Sequence, residues 1–129
     1  MTRDTGKPGS GYTLMELLVV LAIVALLLSV AAPRYFQSLD TARDTILIEN
    51  LARVRETIDR FHGDTGRYPE SLEELVEQHY LRALPVDPVT ESQTGWIVIA
   101  PQPPDKGAVR DIRSAAPGAA RDGRPYSAL

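Results

Sequence analysis

The sequence predicts an α+β fold in which one long N-terminal α-helix, membrane-spanning in its first half and amphipathic in its second, packs on a small antiparallel β-sheet. Three observations predict it. Leu14–Ala32 is an apolar run of nineteen residues in which Glu16 is the only charge and Ser29 the only other polar group. All nine glycines lie outside residues 12–62, and Pro33 is the one proline within that span. Beyond Gly63 the chain changes to short stretches separated by prolines, with "GWIVIA" the most strand-like.

The elements follow in order. Residues 1–11, "MTRDTGKPGSG", are polar and rich in glycine, and are expected to lie outside the fold. At about 1.5 Å per residue, Leu14–Ala32 nearly matches the ~30 Å hydrocarbon thickness of a bilayer. From Leu47 the apolar residues recur as Leu47, Leu51, Val54, Ile58 and Phe61, spacings that place them on one helical stripe. Glu49, Arg53, Glu56, Asp59 and Arg60 occupy other positions, with Glu56 and Arg60 spaced to support each other. Arg60 and His62 suit a last helical turn, and Gly63 stands where a left-handed C-cap is expected. Residues 13–62 therefore read as one helix of about 75 Å. Pro33 should bend it, because its ring and missing N–H disturb the preceding turn.

The remainder reads as a small head. "SLEELVEQHY" offers a Ser71–Glu74 capping box and a short helix with Leu72, Leu75 and Val76 on its apolar side. "LPVDPVT" ends it. "GWIVIA" (95–100) predicts a strand, "PQPPDKG" a turn and "AVRDIR" (108–113) a second strand. "SAAPGAARDGRPYSAL" reads as loop with an edge strand near Tyr126. So few short strands need support, which the Leu47–Phe61 stripe supplies.

Composition excludes several classes of function. There is no cysteine among 129 residues, hence no disulfide, zinc-thiolate site or thiol nucleophile. A net charge of −3 is too mild to imply a polyanionic partner. The charge is uneven: residues 34–105 carry seven Arg and thirteen Asp/Glu, and residues 106–129 five Lys/Arg and two Asp. That pattern reads either as an ordinary solvated surface or as acidic and basic regions that meet across copies. His62 and His79 lack the spacing of metal ligands, and Glu73, Glu74 and Glu77 suit a solvated helix face. No nucleophile-elbow, phosphate-loop or zinc-protease motif occurs. The chain reads as non-enzymatic.

Glu16 is the anomaly. An acid in an apolar layer costs about 2.5–3.5 kcal/mol on insertion scales, and the nearest basic side chain after it is Arg34. If the chain were cut after Gly11, Tyr12 would carry a cationic amine four residues before Glu16. Stacked helices would then pair Glu16 of one copy with Tyr12 of another, and such an ion pair is far better than two separate charges in low dielectric. A signal peptide cut at "SVAAP", using Val30 and Ala32, or a plain signal anchor would leave Glu16 unexplained. Flanking charges do not set the orientation.

"GYTLME" followed by an apolar helix resembles the processing signature of type IV pilins and the pseudopilins of type II secretion, with Tyr12 where relatives usually carry Phe. The resemblance implies that Gly11 precedes a prepilin-peptidase cut, that Tyr12 is the N-methylated new terminus, that Glu16 is the assembly carboxylate and that Pro33 is the kink proline. "GRYPESLEELVEQHYLRALPVDPVT", "GWIVI", "GAVRDIRS" and "DGRPYSAL" resemble the major pseudopilin family of type II secretion. By that resemblance residues 1–11 are a cleaved leader, 12–33 a transmembrane and assembly helix, and 34–129 a periplasmic pilin-like domain. The implied function is a subunit of a pseudopilus that moves proteins across the outer membrane. Its partners would be further copies in a helical filament, minor pseudopilins, the inner-membrane assembly platform and prepilin peptidase, with the leader cytoplasmic and no nucleic acid expected. The family commonly binds calcium in a loop after the second strand; here Asp111, Ser114 and Asp122 are the candidate partial ligands, too few acids for a full site of the six to eight oxygens calcium wants, so the stretch reads either as a partial calcium site or as ordinary loop polarity, and no cofactor is expected. Arg110, Arg113, Arg121 and Arg124 suit subunit contacts better than DNA phosphates. A type IV pilus or DNA-uptake subunit is the alternative, and a membrane-anchored periplasmic binding domain that never polymerises is an alternative of another class.

Overall fold

The computed structural model describes residues 13–129. Its elements are helix α1 (Leu14–Thr65), helix α2 (Leu72–Glu77), strands β1 (Ile97–Ile99) and β2 (Asp111–Arg113), and a 3-10 turn at Tyr126–Ala128. By their contacts, the described residues up to Ser38 form one unit and Leu39–Leu129 another.

In the first unit α1 is held by its own backbone. Helical residues continue without interruption through Pro33. Ser29 Oγ donates to the Leu26 carbonyl at 2.6 Å, which spares the hydroxyl from facing an apolar layer alone.

The second unit is built on the predicted stripe. Leu47, Leu51, Val54, Ile58 and Phe61 are all buried, joined by Leu72 and Leu75 of α2 and by Trp96, Val109 and Ile112. The helix ends later than Gly63. Gly66 takes the left-handed conformation (φ +78°), and its N–H bonds the His62 carbonyl at 2.8 Å, the single-bond left-handed cap. Two of the three extra residues are held by their side chains: Tyr80 Oη donates to Asp64 at 2.7 Å, and Thr65 Oγ1 to the Phe61 carbonyl at 2.8 Å. Those bonds outweigh the cost of about 1 kcal/mol for glycine inside a helix.

Helix α2 starts as expected, with Ser71 Oγ accepting the Glu74 N–H at 3.2 Å. The reciprocal half of the box is displaced by one residue, since the Glu74 carboxylate accepts the Glu70 N–H at 2.9 Å. Arg67 grips the same carboxylate through two bonds of 3.0 and 2.8 Å. That forked contact, first among the causes, holds the Glu74 carboxyl below its usual range.

The sheet is antiparallel, with Ile97 opposite Arg113, Val98 opposite Ile112 and Ile99 opposite Asp111. Each strand is three residues long, shorter than predicted. The N–H groups of Ala108 and Val109 go instead to the Pro69 carbonyl, at 3.0 and 2.9 Å. Gly107 makes that approach possible: its φ is +109°, and an added Cβ would collide with the Tyr68 carbonyl. The buried residue here is Trp96, just before β1, its Nε1–H bonded to the Pro85 carbonyl at 3.0 Å, whereas Ile97 and Val98 within the strand are 48% and 44% exposed. Tyr126 begins a 3-10 turn rather than an edge strand; an isolated bridge joins Ala119 to Pro125 just before it.

Candidate functional site

The site begins at Thr13, the first described residue; Gly11 and Tyr12 lie outside the described residues. The Thr13 carbonyl accepts the Leu17 N–H and its Oγ1 accepts the Glu16 N–H, both at 3.1 Å. Thr13 is thus the N-cap of α1, and Glu16 occupies the third helical position, where Thr-x-x-Glu forms a capping sequence. Sequence reasoning missed this, although "TLME" carries the signal. It gives the acid a partial reason within its own helix: a carboxylate in the first turn gains about 0.3–1 kcal/mol from the helix N-terminus. That is well short of the cost of entering an apolar layer.

Past Glu16 the apolar half of the helix is uncovered. Every large apolar side chain from Leu14 to Val30 is at least 44% exposed. The helix carries a window of eighteen residues with mean hydropathy 2.8, long and apolar enough to cross a membrane. Glu16 lines a shallow apolar groove with Met15, Val19 and Val20, the kind of surface into which another helix seats its ridge. Pro33 lies seventeen residues beyond Glu16, inside the same helix.

In the head, the calcium candidates are kept apart by different partners. Asp111 Oδ1 accepts Arg55 Nε at 2.7 Å and the Ile112 N–H at 2.8 Å. Ser114 Oγ donates to the buried Asp87, whose other oxygen accepts the Val89 N–H at 2.8 Å. Asp122 is held by Arg124, through the backbone N–H at 3.0 Å and Nε at 2.8 Å, which lowers its pKa. Among the described residues no group of three or more His, Asp or Glu is placed to hold a metal. His62 stacks on Tyr68 with centroids 4.2 Å apart, and His79 takes a left-handed conformation (φ 65°) just past α2.

The four arginines weighed as contact residues divide. Arg113 reaches the Leu129 backbone oxygen at 3.2 Å, and Arg121 stands 3.9 Å from Asp40. Arg110 lines an open polar groove of about 290 Å³ with Arg55, Asp59, Tyr68 and Asp111. Three polar anchors had no signal in the residue pattern: Asp44, Arg55 and Asp87. Asp44 Oδ2 accepts the Arg121 N–H at 2.8 Å, and Oδ1 accepts Tyr126 Oη at 2.7 Å. That carboxylate pushes the Tyr126 hydroxyl up to about 12. Arg55 donates to Asp111, to the Ile112 carbonyl at 2.9 Å and to the Leu129 backbone oxygen at 2.7 Å.

The family described as "Prokaryotic N-terminal methylation motif" matches residues 7–32. The type II secretion system core protein G of Pseudomonas aeruginosa is 30% identical over 95 residues, covering 61% of this chain and 67% of that protein. Its counterpart in Klebsiella michiganensis is 27% identical over 108 residues, covering 84% of this chain and 74% of that protein. The Escherichia coli protein of the same name is 27% identical over 94 residues, covering 60% and 65%. No solved structure matches the chain significantly.

Proposed function

The chain belongs to the type II secretion system core protein G family, and on that footing we propose that it is a structural subunit of a type II secretion pseudopilus, not an enzyme. One observation carries the reading: a carboxylate in the first turn of a helix whose large apolar side chains are all exposed up to Val30. Such a helix needs lipid or other helices around it, and its acid needs a cation. Both needs are met if prepilin peptidase trims the chain after Gly11, leaving an N-methylated amine on Tyr12. Glu16 of one subunit then meets the Tyr12 amine of the next, fixing a register that apolar side chains alone would let slide. Before assembly the subunit stands in the inner membrane, crossing once, with its head in the periplasm and its leader in the cytoplasm. Pro33 bends the helix where it leaves the apolar layer. The assembly platform stacks subunits, minor pseudopilins join them, and growth of the filament drives secreted proteins through an outer-membrane channel.

Complementation tests this. In a strain lacking the chain, the unaltered protein should restore secretion and, overproduced, should form visible filaments. Glu16→Ala should insert and be trimmed yet restore neither. Absence of filaments from the unaltered protein would favour a membrane-anchored binding domain, and salt-sensitive binding of DNA by filaments would favour an uptake pilus.

A further inference from the structure

The buried stripe of α1 opens on an acid. Asp44 stands three residues before Leu47 on the same face and is 7% exposed. A buried charge is costly unless it is paired or hydrogen-bonded, and assembly through Glu16 gives this one no task. Its two oxygens are both used, and both partners, the Arg121 N–H and Tyr126 Oη, come from the C-terminal segment. The same segment is fastened at its other points in the same manner. Asp87 takes Ser114 Oγ at its start, and Arg55 takes the Leu129 backbone oxygen at its end.

Calcium is the fastener that the family resemblance implies for this segment. The residues do not fit it. Within 114–126 the only acid is Asp122, and both of its oxygens face Arg124. Asp111 and Ser114, the other candidates, are engaged by Arg55 and Asp87. Calcium takes six to eight oxygens, usually with more than one carboxylate, and a guanidinium beside each acid repels a dication. We propose that the C-terminal segment of this chain is closed by its own side chains, Asp44 first among them, in place of a calcium ion. The head then holds its shape whatever the calcium concentration. This inference stands on the head alone and survives if the pseudopilus reading fails.

The test uses the full chain in detergent, with calcium chloride or with a calcium chelator. Two readouts are followed: the midpoint of thermal unfolding, and the rate of trypsin cleavage after Arg121, whose backbone Asp44 holds. The two buffers should give the same midpoint and the same cleavage rate. Asp44→Asn should lower the midpoint and speed cleavage several-fold in both. Should that variant fail to fold, Tyr126→Phe removes only the hydroxyl and should shift both readouts in the same directions. A midpoint raised by calcium, with cleavage slowed and the effect lost in Asp122→Asn, would overturn the proposal. So would Asp44 and Tyr126 variants that match the unaltered protein in both readouts.

Discussion

Glu16→Leu should move two measurements in opposite directions. The carboxylate stands in the first turn of α1, three residues past its Thr13 cap. Its attraction to the helix N-terminus is worth about 0.3–1 kcal/mol, against about 2.5–3.5 kcal/mol for an acid inside the apolar layer. A lone subunit therefore carries a shortfall of roughly 2 kcal/mol, relieved only when a cation comes alongside. Leucine removes the shortfall, so insertion of the isolated chain should improve by up to about thirty-fold. Leucine also removes the group that meets the neighbouring amine, so assembly should collapse. A membrane-insertion reporter fused to the head reads the first effect, and cysteine cross-linking between neighbouring helices reads the second. Glu16→Gln keeps the shape without the charge and should assemble as poorly. Normal filaments from both variants would refute the reasoning, as would a leucine variant that inserts less readily than the original.

Further expectations concern the head. Arg55→Met removes three charge-assisted bonds that join α1 to β2 and to Leu129. At about 2–3 kcal/mol in total after allowance for partial exposure, thermal unfolding should begin about 10–20 °C lower; an unchanged midpoint would remove Arg55 as an anchor. Gly107→Ala should cost more than Gly118→Ala, because both have positive φ but only at Gly107 would a Cβ strike backbone; equal midpoints in calorimetry would contradict this. The Tyr126 hydroxyl ionises in the folded state at about 12, above its ordinary value of 10. Its bond to Asp44 therefore contributes in full below pH 10 and is lost as pH rises through about 12. Phenolate absorbance should show a tyrosine titrating near pH 12 that vanishes in Tyr126→Phe, while the upward shift that Asp64 gives Tyr80 remains; an unaltered titration in that variant would count against the contact.

The apolar half of the fold was legible because burial leaves a period in the chain. Leu47, Leu51, Val54, Ile58 and Phe61 recur at helical spacing, and all five are buried. Helix and strand ends were less legible, since they depend on distant partners. Asp64 stays helical through Tyr80, sixteen residues on, and Val109 leaves the sheet for Pro69, forty residues back. The polar anchors were least visible of all. Asp44, Arg55 and Asp87 look like surface charges in sequence, and only the folded C-terminal segment brings their partners to them. At the candidate site the reverse holds. Glu16 stood out by its charge alone, while the Thr13 cap beneath it was written in "TLME" and passed over.

The most direct measurement of the central claim is the intact mass of the chain recovered from ordered fibres. The expected subunit begins at Tyr12 and carries one added methyl group, so that a terminal amine is present to meet each acid. Fibres of equal order built from chains that retain residues 1–11 would contradict it.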